Sequence, residues 1–218
     1  MSVMQEVLDS ILNSKAQLIT IDGVDAAGKT SFAQELKENL RIKNKEAIVV
    51  SIDNFHQPKS YRYRLGMNSA EGFFYDSYQY DYFIENCIFP FKKGMEKLVV
   101  KCFDLEKDIE PIEYLSLNSE TMLIVEAIFL HRDELYKIWD YSIYLDVSAD
   151  ISWERNLKRS LESNPNLEIE KYRNRFHKRY KAGQELYSEK FRPKQRASIV
   201  INNINSLSIQ TLELKIIN

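Results

Sequence analysis

Residues 21–33 read IDGVDAAGKTSFA, and eight of them, Gly23 to Thr30, keep the spacing G-x-x-x-x-G-K-[ST]. Nothing else in the chain constrains the fold as tightly, because such a loop needs a buried strand before it and a helix behind it. Both are present: QLITID (17–22) is an apolar, β-branched run, and SFAQELKENLRIKN follows as a helix. In that setting successive backbone N–H groups turn inward around phosphate oxygens, and the helix N-terminus adds partial positive charge. The expected phosphate-contacting set is Gly23, Val24, Asp25, Ala26, Ala27, Gly28, Lys29, Thr30 and Ser31. Lys29 would reach the β- and γ-phosphates, and the Thr30 hydroxyl would ligate Mg²⁺.

The rest of the chain continues the rhythm. Val3, Val7, Leu8, Ile11 and Leu12 recur at helical spacing, so residues 3–13 form a short amphipathic helix before the first strand. Further strands are expected at 47–53, 121–130, 141–147 and 197–202; the run TMLIVEAIFL is apolar on both faces, as a central parallel strand should be. Alternating strands and helices give an α/β fold with a five-stranded, mostly parallel sheet flanked by helices. Two segments interrupt it. Residues 54–83 are dense in aromatics, which are expected chiefly to pack a helical insertion over the sheet, with one or two rings free to stack on a base. Residues 97–117 read as a hairpin turning at Leu105 to Asp108. Beyond Asn205 the pattern fits strand or helix.

Thirty basic and thirty-two acidic residues leave a net charge of −2, which gives no bulk attraction to nucleic acid or to an anionic membrane. The partner is expected to be a small molecule. No run approaches the roughly 20 apolar residues of a membrane span, and the first residues lack the pattern of a secretory signal. The two cysteines, Cys87 and Cys102, have no metal-ligand spacing and suit reduced thiols in the cytoplasm. The sequence leaves room for a homo-oligomer.

Phosphoryl transfer needs a metal ion between phosphate oxygens, cations for the transferred group and an acceptor for the proton of the attacking hydroxyl. Acids close two further strands: Asp53 after VVSI and Glu126 after LIV. In open parallel sheets that edge is where ligands bind. Thr30 and Glu126 fit the metal, and Asp53 fits the base. Arg155 and Arg159, four apart, share one helix face; a break at SNPN (163–166) and a second helix with Arg173, Arg175 and Arg179 complete a lid over about 155–180. The single domain therefore carries an insertion over about 54–118 for the acceptor. A GTPase reading fails because the nearest N-K-x-D candidate, Asn44-Lys45-Glu46-Ala47, lacks its final acid. Two alternatives stay open: a nucleoside monophosphate kinase, and a non-catalytic ATP-binding regulatory module. His131 and His177 carry no metal spacing and are read as structural.

The order GVDAAGKT, SIDNFH, GFFYDSYQYDYF, CFDLEKD, VEAIFL and YLDVSADISWERNLKR resembles the uridine kinase family of P-loop kinases, from about Leu18 to Asn203. The resemblance implies transfer of the γ-phosphoryl group of ATP, with Mg²⁺, to a hydroxyl of a nucleoside or nucleoside-like molecule. It implies that Asp53 takes the proton of the sugar hydroxyl, that Asp76 holds ribose hydroxyls, that Glu126 assists magnesium and that Phe103 or its hairpin neighbours contact the base; His56, three residues after Asp53, is placed either to touch substrate or to serve a surface or capping role. Members acting on uridine and cytidine carry a His after the aromatic-Asp pair of the hairpin, where this chain has Asp104-Leu105-Glu106-Lys107-Asp108. Ala127 stands where a Gly is usual. Changed reading groups imply a changed acceptor.

Overall fold

The computed structural model describes residues 2–203, so the segment beyond Asn205 lies outside the described residues. Helix α1 (Val3–Ser14) precedes β1 (Leu18–Gly23), α2 (Lys29–Ile42) and β2 (Ala47–Ser51). The insertion holds short helices α3 (Lys59–Arg62), α4 (Ala70–Asp76), α5 (Tyr80–Phe83) and α6 (Phe89–Lys92), then strands β3 (Lys97–Lys101) and β4 (Ile112–Ser116). After these come β5 (Met122–Glu126), β6 (Tyr141–Asp146), α7 (Ala149–Ser163), α8 (Ile169–Arg175), α9 (Ala182–Phe191), α10 (Pro193–Arg196) and β7 (Ile199–Asn202). A π-helical turn, Phe176–Lys181, joins α8 to α9; such turns recur at functional sites.

The main sheet has the order β2–β5–β1–β6–β7, and every neighbouring pair is parallel. The antiparallel β3–β4 pair is the expected hairpin. Both faces of the main sheet are covered, and the strands show it residue by residue: on β5, Leu123 and Val125 face one core while Met122 and Ile124 face the other. The first core gathers the insertion's aromatics, Phe55, Phe73, Phe74 and Phe83, with Phe129, Tyr187 and Phe191. The second takes the apolar faces of α1 and α2, including Leu8, Ile11, Phe32 and Leu36. Most of the aromatic stretch is therefore packing, and Tyr61 and Tyr75 are exposed.

Two strands stop earlier than the apolar pattern suggests, and a side chain captures a backbone N–H shortly beyond each. The Asp53 N–H donates to Ser51 Oγ at 3.3 Å, and the chain turns into a 3₁₀ helix over Ile52–Phe55. The Leu130 N–H donates to the Asp22 carboxylate at 3.1 Å instead of to a neighbouring strand. Residues 127–130 are buried but not β.

Close packing of α9 on α4 depends on Gly183. A Cβ there would lie 2.8 Å from Phe73 Cδ1 and 2.9 Å from the Ala70 carbonyl oxygen. Gly183→Ala should cost about 1–3 kcal/mol, the range for inserted bulk in a packed interior. Urea denaturation checks this, and an unchanged midpoint would mean that α9 yields without loss.

Candidate active site

The register brings three strand ends into one row: Ile21 pairs with Glu126, and Ser51 pairs with Glu126 from the other side. The loop after β1 begins at Gly23, whose φ of +155° and whose approach to the Leu145 carbonyl, 2.5 Å from a built Cβ, both require glycine. Its outer face is braced by other segments. Ser152 Oγ of α7 donates to the Asp25 carbonyl at 2.8 Å, Arg155 donates to the Ala26 carbonyl at 3.2 Å, and Asn203 Nδ2 donates to the Ala27 carbonyl at 2.7 Å. From α9, Gln184 Oε1 accepts the Asp25 N–H at 2.8 Å. The Lys29 ammonium donates to the Val24 carbonyl at 2.8 Å, so it already lies across the loop. Thr30 and Ser31 are exposed at the start of α2.

Opposite the loop stand the acids. Burial raises the Glu126 carboxyl above its usual range, opposed by the neighbouring Ser51 and Thr30 hydroxyls and the charge of Lys29, while Asp53 pushes it the same way as burial; Ser51 Oγ itself donates to the Glu126 backbone carbonyl at 3.4 Å. A carboxylate beside the Thr30 hydroxyl is an all-oxygen donor pair, which suits Mg²⁺ completed by phosphate and water. Asp25 is likewise raised by burial, opposed by Lys29 and Arg159 and reinforced by Asp53. Asp53 is exposed and accepts the Tyr78 hydroxyl at 2.8 Å. His56 Nδ1 donates to the Asp53 carbonyl at 2.6 Å, and burial lowers its pKa despite the nearby Asp53 charge. Phe103 comes up to this turn from the hairpin: its N–H donates to the Asn54 carbonyl at 3.2 Å, and its ring lies 6.1 Å from that of His56.

Lys29, Thr30, Asp53 and Glu126 thus share one edge, with Asp25, His56 and Phe103 beside them. Others sit differently from expectation. Arg155 gives one amino group to Ala26 and the other to the Asn203 carbonyl at 2.9 Å, so it holds the loop from behind. Arg159 donates to Asn156 Oδ1 at 2.7 Å, and its charge acts on Asp25. Where a ribose was expected, Asp76 is 2% exposed and accepts two bonds from Arg64, at 2.9 and 2.7 Å. Arg173 pairs with Glu170 at 2.9 Å, away from the loop. Asp22 is the residue that sequence reasoning passed over. Wholly buried, it accepts from the Gly23 N–H at 2.7 Å, from His131 Nδ1 at 2.7 Å and from the Tyr187 hydroxyl. Its signal was an acid inside an otherwise apolar strand directly before the first loop glycine. Among the described residues no cluster of three His, Cys, Asp or Glu side chains could hold a metal ion, and no helix is long and apolar enough to cross a membrane.

A phosphate-binding loop at the carboxyl edge of this parallel sheet, faced by carboxylates from two other strand ends, defines a P-loop kinase. The chain belongs to the phosphoribulokinase / uridine kinase family, whose model matches residues 18–165. It is 25% identical over 153 residues to a uridine kinase of Macrococcus caseolyticus, covering 68% of this chain and 71% of that protein. Against a uridine kinase of Schizosaccharomyces pombe it is 24% identical over 157 residues, 67% of this chain but 32% of that one, so it spans about a third of the fission-yeast protein. A possible uridine kinase from Bacillus stearothermophilus has the same fold, with TM-score 0.73 at 23% identity over 90% of this chain and 96% of that one.

Proposed function

We propose that the chain is an ATP-dependent, Mg²⁺-assisted phosphotransferase that moves the γ-phosphoryl group to a hydroxyl of a small, nucleoside-like molecule. One observation supports the reading: Glu126 at the end of β5 pairs in register with Ile21 of β1, which runs into the loop that ends at Lys29, and with Ser51 of β2, two residues before Asp53, so three separate segments meet at one sheet edge. The loop amides and Lys29 bind and orient the phosphates, and Arg159 adds charge beside them. Thr30 and Glu126 would hold the magnesium ion, which supplies charge neutralisation across the phosphate oxygens. Asp53 accepts the proton of the acceptor hydroxyl; an O–P bond forms to the γ-phosphorus, the bridging P–O bond breaks and ADP leaves. The acceptor enters beside His56 and Phe103. The unbridged thiols Cys87 and Cys102 suit the reducing cytoplasm.

The test is ADP release from the purified chain over a panel of nucleosides, sugars and vitamin precursors, with ³¹P NMR of the product. A phosphate ester formed with at least one hydroxyl acceptor is expected, and none with Lys29→Ala. Phosphoanhydride formed only from monophosphates would reassign the chain as a monophosphate kinase. ATP binding without any product would make it a non-catalytic module.

A further inference from the structure

Behind His56 opens a cavity of about 400 Å³, and its charged lining has one sign. Lys59, Arg62, Arg175 and Arg179 line it, and no Asp or Glu does. Two of these cations are deeply buried, Arg62 at 8% and Arg179 at 2% exposure. Arg179 has no carboxylate partner among the described residues. Its amino groups donate to the carbonyls of Ser69 and Arg62 at 3.1 Å each, its guanidinium lies 4.5 Å from the Tyr63 ring centre, and its Nε is buried without an acceptor. Arg62 donates its Nε to the Gln57 carbonyl at 2.7 Å and meets one carboxylate, Asp108, at 3.7 Å; the Arg175 side chain has no hydrogen-bond or ion-pair partner among the described residues.

Burying a guanidinium without a counter-charge is unfavourable, and holding three around one cavity adds mutual repulsion. Arg62 and Arg175 do act on Arg179 as like charges. An anion entering the cavity would relieve both terms at once, through charge-assisted bonds to planar donors. The phosphate loop has its own cation, Lys29 on the Val24 carbonyl, whereas Arg179 and Arg62 are held by backbone carbonyls of the insertion, at Ser69, Arg62 and Gln57, so the triphosphate is assigned to the loop and the cavity to a second anion. His56 connects the two regions, with the charges of Asp53 and Arg62 both acting on it.

We propose that the phosphoryl acceptor carries its own anionic group, a carboxylate or a phosphate ester, seated among Arg62, Arg175 and Arg179 while its hydroxyl faces Asp53. This rests on the kinase reading and narrows it: neutral nucleosides and polyols are poor acceptors, and their acidic counterparts are good ones.

The full chain, saturated with a non-hydrolysable ATP analogue so that the phosphate loop is filled, is titrated with matched pairs: uridine and orotidine, glycerol and glycerate, ribose and ribose 5-phosphate. Binding is read from the melting temperature and by calorimetry. The charged member of at least one pair should bind and its neutral partner should not; the responding pair tells carboxylate from phosphate ester. Arg175→Gln, at a half-buried side chain that anchors nothing else, should weaken that binding roughly tenfold and leave the analogue's affinity as in the wild type. Equal or absent response to both members of every pair overturns the inference, as does an Arg175→Gln variant that binds the charged member normally or binds the analogue less well. All of these leave the kinase reading standing. Failure of the analogue to bind overturns that reading, and the inference with it.

Discussion

Asn in place of Asp53 should bind ATP as tightly as the wild type and transfer phosphoryl about 10²-fold more slowly or worse, the scale of a lost general base. That factor corresponds to about 2.7 kcal/mol of barrier. The substitution is clean because Tyr78 donates to one carboxylate oxygen at 2.8 Å, and the Asn amide keeps an oxygen in that place. Burial and the Asp53 charge together push the Tyr78 hydroxyl pKa well up, so Tyr78 remains a donor that fixes the side chain. What Asn cannot do is take the proton. Calorimetry gives the nucleotide affinity and single-turnover kinetics the chemical step; wild-type turnover would remove Asp53 from the proposed role.

The largest effect on stability is expected at Asp22. Its carboxylate receives the Gly23 and Leu130 backbone N–H groups, His131 Nδ1 and the Tyr187 hydroxyl, all buried. Asp22→Ala removes the acceptor and leaves these donors without water or partner, which should cost about 3–5 kcal/mol, as when one member of a buried charged pair is deleted. Asp22→Asn should recover only part of it, since an amide turns two N–H groups toward a site made of donors. Denaturant unfolding with an unchanged slope measures the difference. A loss below about 1 kcal/mol for the alanine variant would mean that water or a repacked Tyr187 takes over the carboxylate's bonds.

The sheet was legible because its strands are apolar on both faces and are bounded by recognisable loop residues; Leu123 to Val125 could be little else. The loop was legible because its spacing is rigid. Strand ends were less so. Asp53 and Leu130 leave the β pattern through bonds to Ser51 and Asp22, and no local periodicity records a partner 108 positions away in the chain. Charges were read least well. Arg155 and Arg179 look alike as basic residues on helices, yet one holds loop carbonyls and the other is buried against Tyr63 in the insertion. Helical spacing gives a face, but not what that face meets. Asp76 shows the same limit, because its Arg64 partner lies on the turn before α4 and outside any helical repeat.

The braces on the loop bear on portability. Its outer carbonyls are held by Ser152 and Arg155 from one helix and by Asn203 just past β7, while Gln184 secures an amide from another helix. An octapeptide shaped by contacts more than 120 positions away is not a self-contained cassette. Grafted between a strand and a helix elsewhere, the same eight letters would keep their glycines but lose the scaffolding that sets their curvature.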